Sequence, residues 1–349
     1  MGLINLLRKK CNISFFTTPS HSRCFFIFHK LRNLYKYDIS ETEFHNPEEA
    51  LKKAEEAAAK LYGTKSTKFL TNGSTSGIIT AVLSCVKKGD NVLIGKDAHP
   101  CHKNAAELAG GTPIYYKIPQ DPAFKVAQKT TPEILEPYFE NNKIKALIIT
   151  SPTYEGFVSD IKTIKDLCAK HNCYLIVDEA HGALYPFSER LPQSAVKIAD
   201  FTVQSLHKTA GGLNPTALIH TNTGIDLEEA LSKTNTTSPS YPLLASIEAN
   251  INFLKSTRGK RLLNNLIDRI EILRKNCPDC IFGGNDITKI LVKIEGLTGY
   301  QLSEILYNKY KIEDERTNEA CSMLLCGIGT STQKLDKLEK ALFAVSQKN

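Results

Sequence analysis

No stretch of this chain approaches the ~18 consecutive apolar residues that a membrane-spanning helix needs. Charge of one sign is not concentrated either. The net charge is +7, but the basic residues are scattered rather than striped, which describes a solvated surface and not a nucleic-acid footprint. Cys277-Pro-Asp-Cys280 is a lone CxxC without a second pair at zinc spacing; Cys321 and Cys326 could in principle complete a set, but no metal is expected. The ten cysteines sit in a chain too long to need staples and without a secretory signal, so reduced thiols and a cytoplasmic setting are expected. The first 36 residues contain no acid beside seven basic residues, a transit-like charge. The run from Leu3 to Leu7 is too short for a secretory core, and Leu6 stands where myristoylation requires Ser or Thr. No address is assigned on these grounds, and neither repeats nor low-complexity segments occur.

What the chain does have is alternation. Asn46-Pro47 reads as a cap and first residue of a helix ending before Gly63. Strands are expected at 67–71, 91–94, 113–116, 146–150, 174–177 and 201–204, with helical stretches between most of them, including an apolar helix over 78–86. Strand and helix in this order predict an α/β fold, a mostly parallel sheet covered on both faces. Beyond about residue 245 the order becomes α+β. One long helix is expected over 244–273, then a strand at 289–294, a helix at 299–310, a strand at 323–327 and a last helix at 333–345. The expected division is an N-terminal arm (1–45), a large domain (46–245) and a small C-terminal domain (246–349).

Ligands in parallel sheets bind at the carboxyl ends of the strands, and each chemical candidate follows a strand. Asp178, in Tyr174-Leu-Ile-Val-Asp178-Glu-Ala-His181, ends a buried strand with a carboxylate that is expensive to bury without a cationic partner. A protonated pyridine nitrogen is one such partner; a helix-capping aspartate is the plain alternative. Lys208, in Ser205-Leu-His207-Lys208-Thr209, ends the next strand, where burial would lower its pKa and make it an amine nucleophile rather than a turn lysine. Ser205 and His207 flank it as donors for a phosphate. Thr71-Asn-Gly-Ser74-Thr75-Ser-Gly77 opens a helix with short hydroxyls and free N–H groups, a phosphate cradle without the lysine of a P-loop. His99 follows another strand and could stack on a cofactor ring, with His102 as its competitor.

With these motifs in this order, the sequence resembles the bacterial-type ornithine/lysine/arginine decarboxylases, whose large domain has the aspartate-aminotransferase fold (fold type I) and binds pyridoxal 5'-phosphate. Ser205-Leu-His207-Lys208-Thr209 is similar to their cofactor-attachment segment, and Asp178-Glu-Ala-His181-Gly-Ala to their pyridine-nitrogen segment. Thr71-Asn-Gly-Ser-Thr resembles the phosphate turn, Thr237-Ser238-Pro-Ser-Tyr241 the segment that reaches a neighbouring subunit's cofactor phosphate. Leu297-Thr-Gly-Tyr300 and Cys326-Gly-Ile-Gly-Thr330 resemble small-domain signatures.

The resemblance implies that Lys208 carries the cofactor as a Schiff base, that Asp178 pairs with the pyridinium and that His99 stacks on the ring. It implies Ser74, Thr75, Ser205, His207 and Ser238 at the phosphate, and His181 beside the cofactor or substrate. The implied reaction is loss of the α-carboxylate of lysine, ornithine or arginine by a homodimer, and thereby polyamine formation. Two departures accompany it. Pro19-Ser20-His21-Ser22 stands where the family has Pro-Gly-His-Lys, and the family's further C-terminal domain is expected to have no counterpart here. The alternatives are another pyridoxal-phosphate reaction, such as transamination or elimination, and a non-catalytic regulator of a decarboxylase.

Overall fold

The computed structural model describes residues 14–15, 47–237 and 239–347. In chain order the first elements are strand β1 (Ser14–Phe15), helix α1 (Pro47–Tyr62), β2 (Ser66–Leu70), α2 (Gly73–Cys85), β3 (Asn91–Gly95), α3 (Pro100–Leu108) and β4 (Thr112–Tyr116). Next come α4 (Pro132–Asn141), β5 (Ile144–Thr150), α5 (Ile161–Lys170), β6 (Tyr174–Asp178), β7 (Phe201–Ser205) and β8 (Ala217–Thr221). Seven of these strands form one sheet in the order β2-β8-β7-β6-β5-β3-β4. Its neighbours are parallel except at β8, which runs against both β7 and β2.

Why these segments are strands is visible in their composition. β5 and β6 read Ile-Lys-Ala-Leu-Ile-Ile-Thr and Tyr-Leu-Ile-Val-Asp, near-continuous apolar runs of the kind a sheet covered on both faces requires. The period of two then splits them. Ile148, Ile176 and Val203 join α2 and α3 on one face, while Leu147, Ile149, Leu175 and Val177 join α4 and α5 on the other. The α2 helix lies very close to the sheet. A Cβ on Gly77 would come within 2.8 Å of side-chain carbons of both Val203 and Leu70, so only glycine lets the helix lie flat across β2 and β7.

The remaining elements are α6 (Glu228–Thr234), α7 (Tyr241–Lys255), α8 (Thr257–Asn276), β9 (Ile281–Phe282), β10 (Lys289–Val292) and α9 (Gly299–Tyr310). They are followed by β11 (Ile312–Glu313), β12 (Arg316–Thr317), β13 (Ser322–Leu325) and α10 (Thr332–Ser346). A second, antiparallel sheet has the order β12-β13-β10-β9, and β1 pairs with β11. The largest apolar cluster runs from α1 through α7, α8 and β10 to α10.

The single helix expected over 244–273 is two. Ser256 ends α7 and caps α8, its Oγ accepting from Gly259 N at 3.1 Å. Gly259 is packed so tightly against the corner that a Cβ would lie 2.1 Å from the Phe253 carbonyl oxygen. Uninterrupted helical periodicity conceals a cap of this kind, because serine is tolerated in mid-helix by pattern but preferred at its start. The reversed strand β8 also went unanticipated: its own His220 and Thr221, with Thr216 just before it, interrupt the apolar signature, yet all five of its residues are buried.

Candidate active site

The carboxyl ends of β3, β5, β6 and β7 point the same way, and the residues that follow them converge. β6 ends at Asp178, which is 5% exposed. One of its oxygens accepts from Ala180 N at 3.1 Å and the other lies 2.9 Å from His102 Nε2. Burial pushes its carboxyl up, but the His102 hydrogen bond and charge, with the field of the Lys208 ammonium, outweigh burial and hold it below the usual carboxylate value.

β7 leads directly into a π turn, Leu206–Ala210, that carries Lys208. Two orphan carbonyls of this turn are taken from outside it. Ile328 N donates to Thr209 O at 2.8 Å, and the Asn250 side-chain amide to Ala210 O at 2.7 Å. The turn is thereby fixed from α7 and from the segment after β13. Burial lowers the Lys208 pKa, with Asp178 and Glu315 opposing that shift and Lys289 adding to it. Its Nζ is 3.0 Å from His181 Nε2. Burial first, then the Lys208 and Lys289 ammonium groups, holds His181 well below its ordinary value, so the imidazole is neutral and accepts from Lys208. The His181 ring packs against Tyr154, from the segment after β5, with centroids 4.5 Å apart.

Around this centre lie the other residues singled out in the sequence. His99 is exposed and caps α3, Nδ1 accepting from Cys101 N at 3.2 Å. Burial of part of the ring lowers its pKa, and the charges of Asp178 and Lys208 both reach it. Ser74 is half-buried and Thr75 exposed in the first turn of α2. The cap residue of that helix, Asn72, makes no side-chain capping bond and instead donates to Thr234 O. Ser205 Oγ and Thr209 Oγ1 are buried with no hydrogen-bond partner among the described residues. His207 Nδ1 donates to Thr216 O at 3.3 Å, and burial lowers its pKa to about 4. Ser238 lies outside the described residues, as does the Pro19-Ser20-His21-Ser22 segment.

Three further residues belong to the site and were not assigned to it from the sequence. His102 was weighed only as an alternative to His99. Yet the buried positions of α3 are Cys101, His102, Ala105 and Ala106, one helical face that carries His102 inward onto Asp178. Cys101, His102 and Asp178 place three ligating atoms within 4.8 Å, and the short His102–Asp178 contact is satisfied as a hydrogen bond. Tyr154 follows β5 as the other candidates follow their strands, a position that flags it by the same rule. Lys289 is 0% exposed inside the apolar strand β10, and a lysine in such a run is itself a signal. Cys321 and Cys326 do not join Cys277 and Cys280. Cys321 packs on Phe124 and Cys326 lies in the core near Arg274.

A family model described as Orn/Lys/Arg decarboxylase, major domain, matches residues 14–292. Among curated proteins, an arginine decarboxylase of Halalkalibacterium halodurans is 29% identical over 322 residues, and one of Bacillus anthracis is 30% identical over 322. Each alignment covers 86% of this chain but 65% of the relative, so the chain spans somewhat less than two thirds of their length. Among solved structures, the constitutive lysine decarboxylase of Escherichia coli superposes with a TM-score of 0.78 at 19% identity, over 93% of this chain and 56% of that one. The aromatic aminotransferase of Pyrococcus horikoshii superposes with a TM-score of 0.63 at 18% identity, over 99% of both chains. No helix among the described residues is long and apolar enough to cross a membrane.

Proposed function

Because the chain belongs to the Orn/Lys/Arg decarboxylase family, a pyridoxal-phosphate-dependent family of fold type I, we propose that it removes the α-carboxylate of a basic amino acid with the cofactor held on Lys208. The observation that carries this reading is the opposition of Lys208 and Asp178. On the ends of adjacent strands, the amine is pushed toward its neutral form and the carboxylate toward its charged form.

The residues fit the cofactor. A neutral lysine amine can bond to an aldehyde, and an ionised aspartate buried beside it favours a protonated ring nitrogen. Unpartnered hydroxyls on Ser205 and Thr209, and an α2 N-terminus without a side-chain cap, supply donors for a phosphate. When bound, pyridoxal phosphate supplies an electron sink for the pair left at the substrate's α-carbon.

The chain's own residues would do the rest. Lys208 anchors the aldehyde, and Asp178 holds the ring-nitrogen proton while His102 orients Asp178. His99, exposed at the start of α3, would stack on the ring. Ser74, Thr75, Ser205 and His207 would hold the phosphate, joined by Ser238. His181 keeps a neutral nitrogen against Lys208, where it takes a proton from the amine or returns one. We read 46–245 as the cofactor domain and 246–349 as the small domain closing over it. With this reading goes a cytoplasmic homodimer, on the strength of the resemblance of 237–241 to a segment that reaches a neighbouring subunit.

The test is carbon dioxide release from carboxyl-labelled arginine, lysine and ornithine by cofactor-saturated protein, beside Lys208→Ala. Release from one of them, lost together with the visible absorbance of the lysine-bound cofactor in the variant, is the expected result. A Lys208-dependent absorbance without release from any of the three would replace decarboxylation by another reaction of the same cofactor.

A further inference from the structure

A lysine inside an apolar strand is expensive to bury unless each of its donors is met. Lys289, the first residue of β10, has all three ammonium hydrogens committed. They go to Asp286 Oδ2 at 2.6 Å, Thr288 Oγ1 at 3.1 Å and the His181 carbonyl at 2.8 Å. Two of these acceptors belong to its own turn. The third lies 108 residues away in sequence, on the segment that follows Asp178. The Asp286 carboxylate is held in turn by Thr288 N at 2.9 Å, Thr288 Oγ1 at 2.6 Å and the Tyr185 hydroxyl at 2.8 Å. With every donor and both carboxylate oxygens engaged, the ammonium has one position against the His181 carbonyl.

The same stretch reaches His181 by a second route. Asp286 N donates to Gly156 O at 3.0 Å, and a Cβ on Gly284 would lie 2.2 Å from that oxygen. Residues 284–289 therefore lie backbone to backbone on the turn that carries Tyr154. The Tyr154 ring packs on the His181 ring with centroids 4.5 Å apart, and His181 Nε2 is 3.0 Å from Lys208 Nζ. One stretch leading into β10 thus holds His181 both at its carbonyl and, through Tyr154, at its ring.

We propose that Lys289 is a positioning residue for Lys208: it sets the His181 ring against the lysine amine, holds a positive charge at the His181 carbonyl, and so keeps the amine neutral for the cofactor aldehyde. The inference rests on the reading of Lys208 as the cofactor lysine. Bonding of Lys208 Nζ to the aldehyde carbon needs the free electron pair of the nitrogen. It releases one water, whose oxygen comes from the aldehyde and whose two hydrogens come from the amine. Burial lowers the Lys208 pKa first; Asp178, Glu315 and Cys101 oppose that shift, and Lys289 adds to it. His181 is depressed by burial and then by Lys208, Lys289, His207 and His99, so a neutral imidazole faces the amine.

The experiment mixes cofactor-stripped protein with pyridoxal phosphate and follows how fast the visible absorbance of the lysine-bound form appears, from about pH 7 to about pH 10. Removing Lys289 alone strands Asp286, so the variant compared is Lys289→Met with Asp286→Asn. The pH of half-maximal rate should rise by about half a unit or more, which is about threefold or more in rate at a fixed pH below it. Lys289→Gln with Asp286→Asn keeps hydrogen-bonding groups but neither charge, should show the same rise, and carries the test if the methionine pair does not fold. Tyr185→Phe loosens the same group without touching the charge at His181, and its midpoint should stay in place.

A midpoint unmoved in the paired variants, whether attachment slows equally at every pH or not at all, overturns the assignment and leaves the Lys208 reading intact. A midpoint that moves as far in Tyr185→Phe also overturns it, because loosening alone would then suffice. Absence of any Lys208-dependent absorbance in the unmodified protein overturns the Lys208 reading, and this assignment with it.

Discussion

The ammonium of Lys289, on β10 of the small sheet, donates to the main-chain carbonyl of His181 at 2.8 Å. The same nitrogen lies 2.6 Å from Asp286 Oδ2, which also accepts from the Tyr185 hydroxyl at 2.8 Å. Lys289 and Asp286 are both 0% exposed. From this local buried ion pair, hydrogen bonds cross to the segment after Asp178: Lys289 holds the carbonyl of the histidine that touches Lys208, and Asp286 holds the Tyr185 hydroxyl.

Lys289→Met should therefore destabilise the protein by about 3–5 kcal/mol, because it strands the Asp286 carboxylate without its partner. Adding Asp286→Asn should recover much of that loss. Urea denaturation of the two variants checks both statements, and a single variant no less stable than the double would contradict them.

His102→Leu removes the group that holds Asp178 ionised. The cofactor's affinity should fall by roughly tenfold or more, since each tenfold corresponds to about 1.4 kcal/mol. The absorbance of the lysine-bound form should still be reached at high cofactor concentration. Titration of the stripped protein with pyridoxal phosphate measures this, and an unchanged affinity would remove His102 from the site.

Stability should fall as the solution is acidified from about pH 6.5 toward pH 4. The His181, His207 and His220 imidazoles are depressed by burial, His207 to about 4 and His220 to about 3. Between the unfolded value and these folded values only the unfolded chain takes up protons. The contribution is complete above about pH 6.5, and each histidine removes up to about 1.4 kcal/mol per unit of pH below it. Melting temperature followed across that window should drop steadily, and replacing His220 with a neutral residue should flatten the slope.

Gly259→Ala should cost about 2 kcal/mol or more, since the added carbon meets the Phe253 carbonyl and not a side chain that can swing away. Chemical denaturation gives the number, and a change within about 0.5 kcal/mol would mean that the α7–α8 corner relaxes freely.

The α/β class was legible because strands buried on both faces advertise themselves as apolar runs, as β5 and β6 do. The positions of Asp178 and Lys208 were legible for a related reason: each is the first charged residue after such a run. His102 was not recovered because its assignment depends on which face of α3 meets the sheet, which follows from packing rather than from spacing to a strand end. Tyr154 and Glu315 are 161 residues apart and meet only once the small sheet is docked. The same holds for Lys289 and His181, a contact made across 108 residues. Local patterns carry elements and their ends; contacts at such separations carry no local trace.

Because β8 runs against β7, the segment bearing Lys208 begins and ends on adjacent strands, with Ser205 paired to Ala217. Lys208 sits inside a hairpin, whereas Asp178 reaches its neighbours through helical crossovers. Closing so short a loop costs little chain entropy, and hairpins form within roughly 1–10 μs. The strand that leads into Lys208 and the one that leaves it are thus joined by contacts of low sequence separation, unlike the crossovers that bring Asp178 beside them.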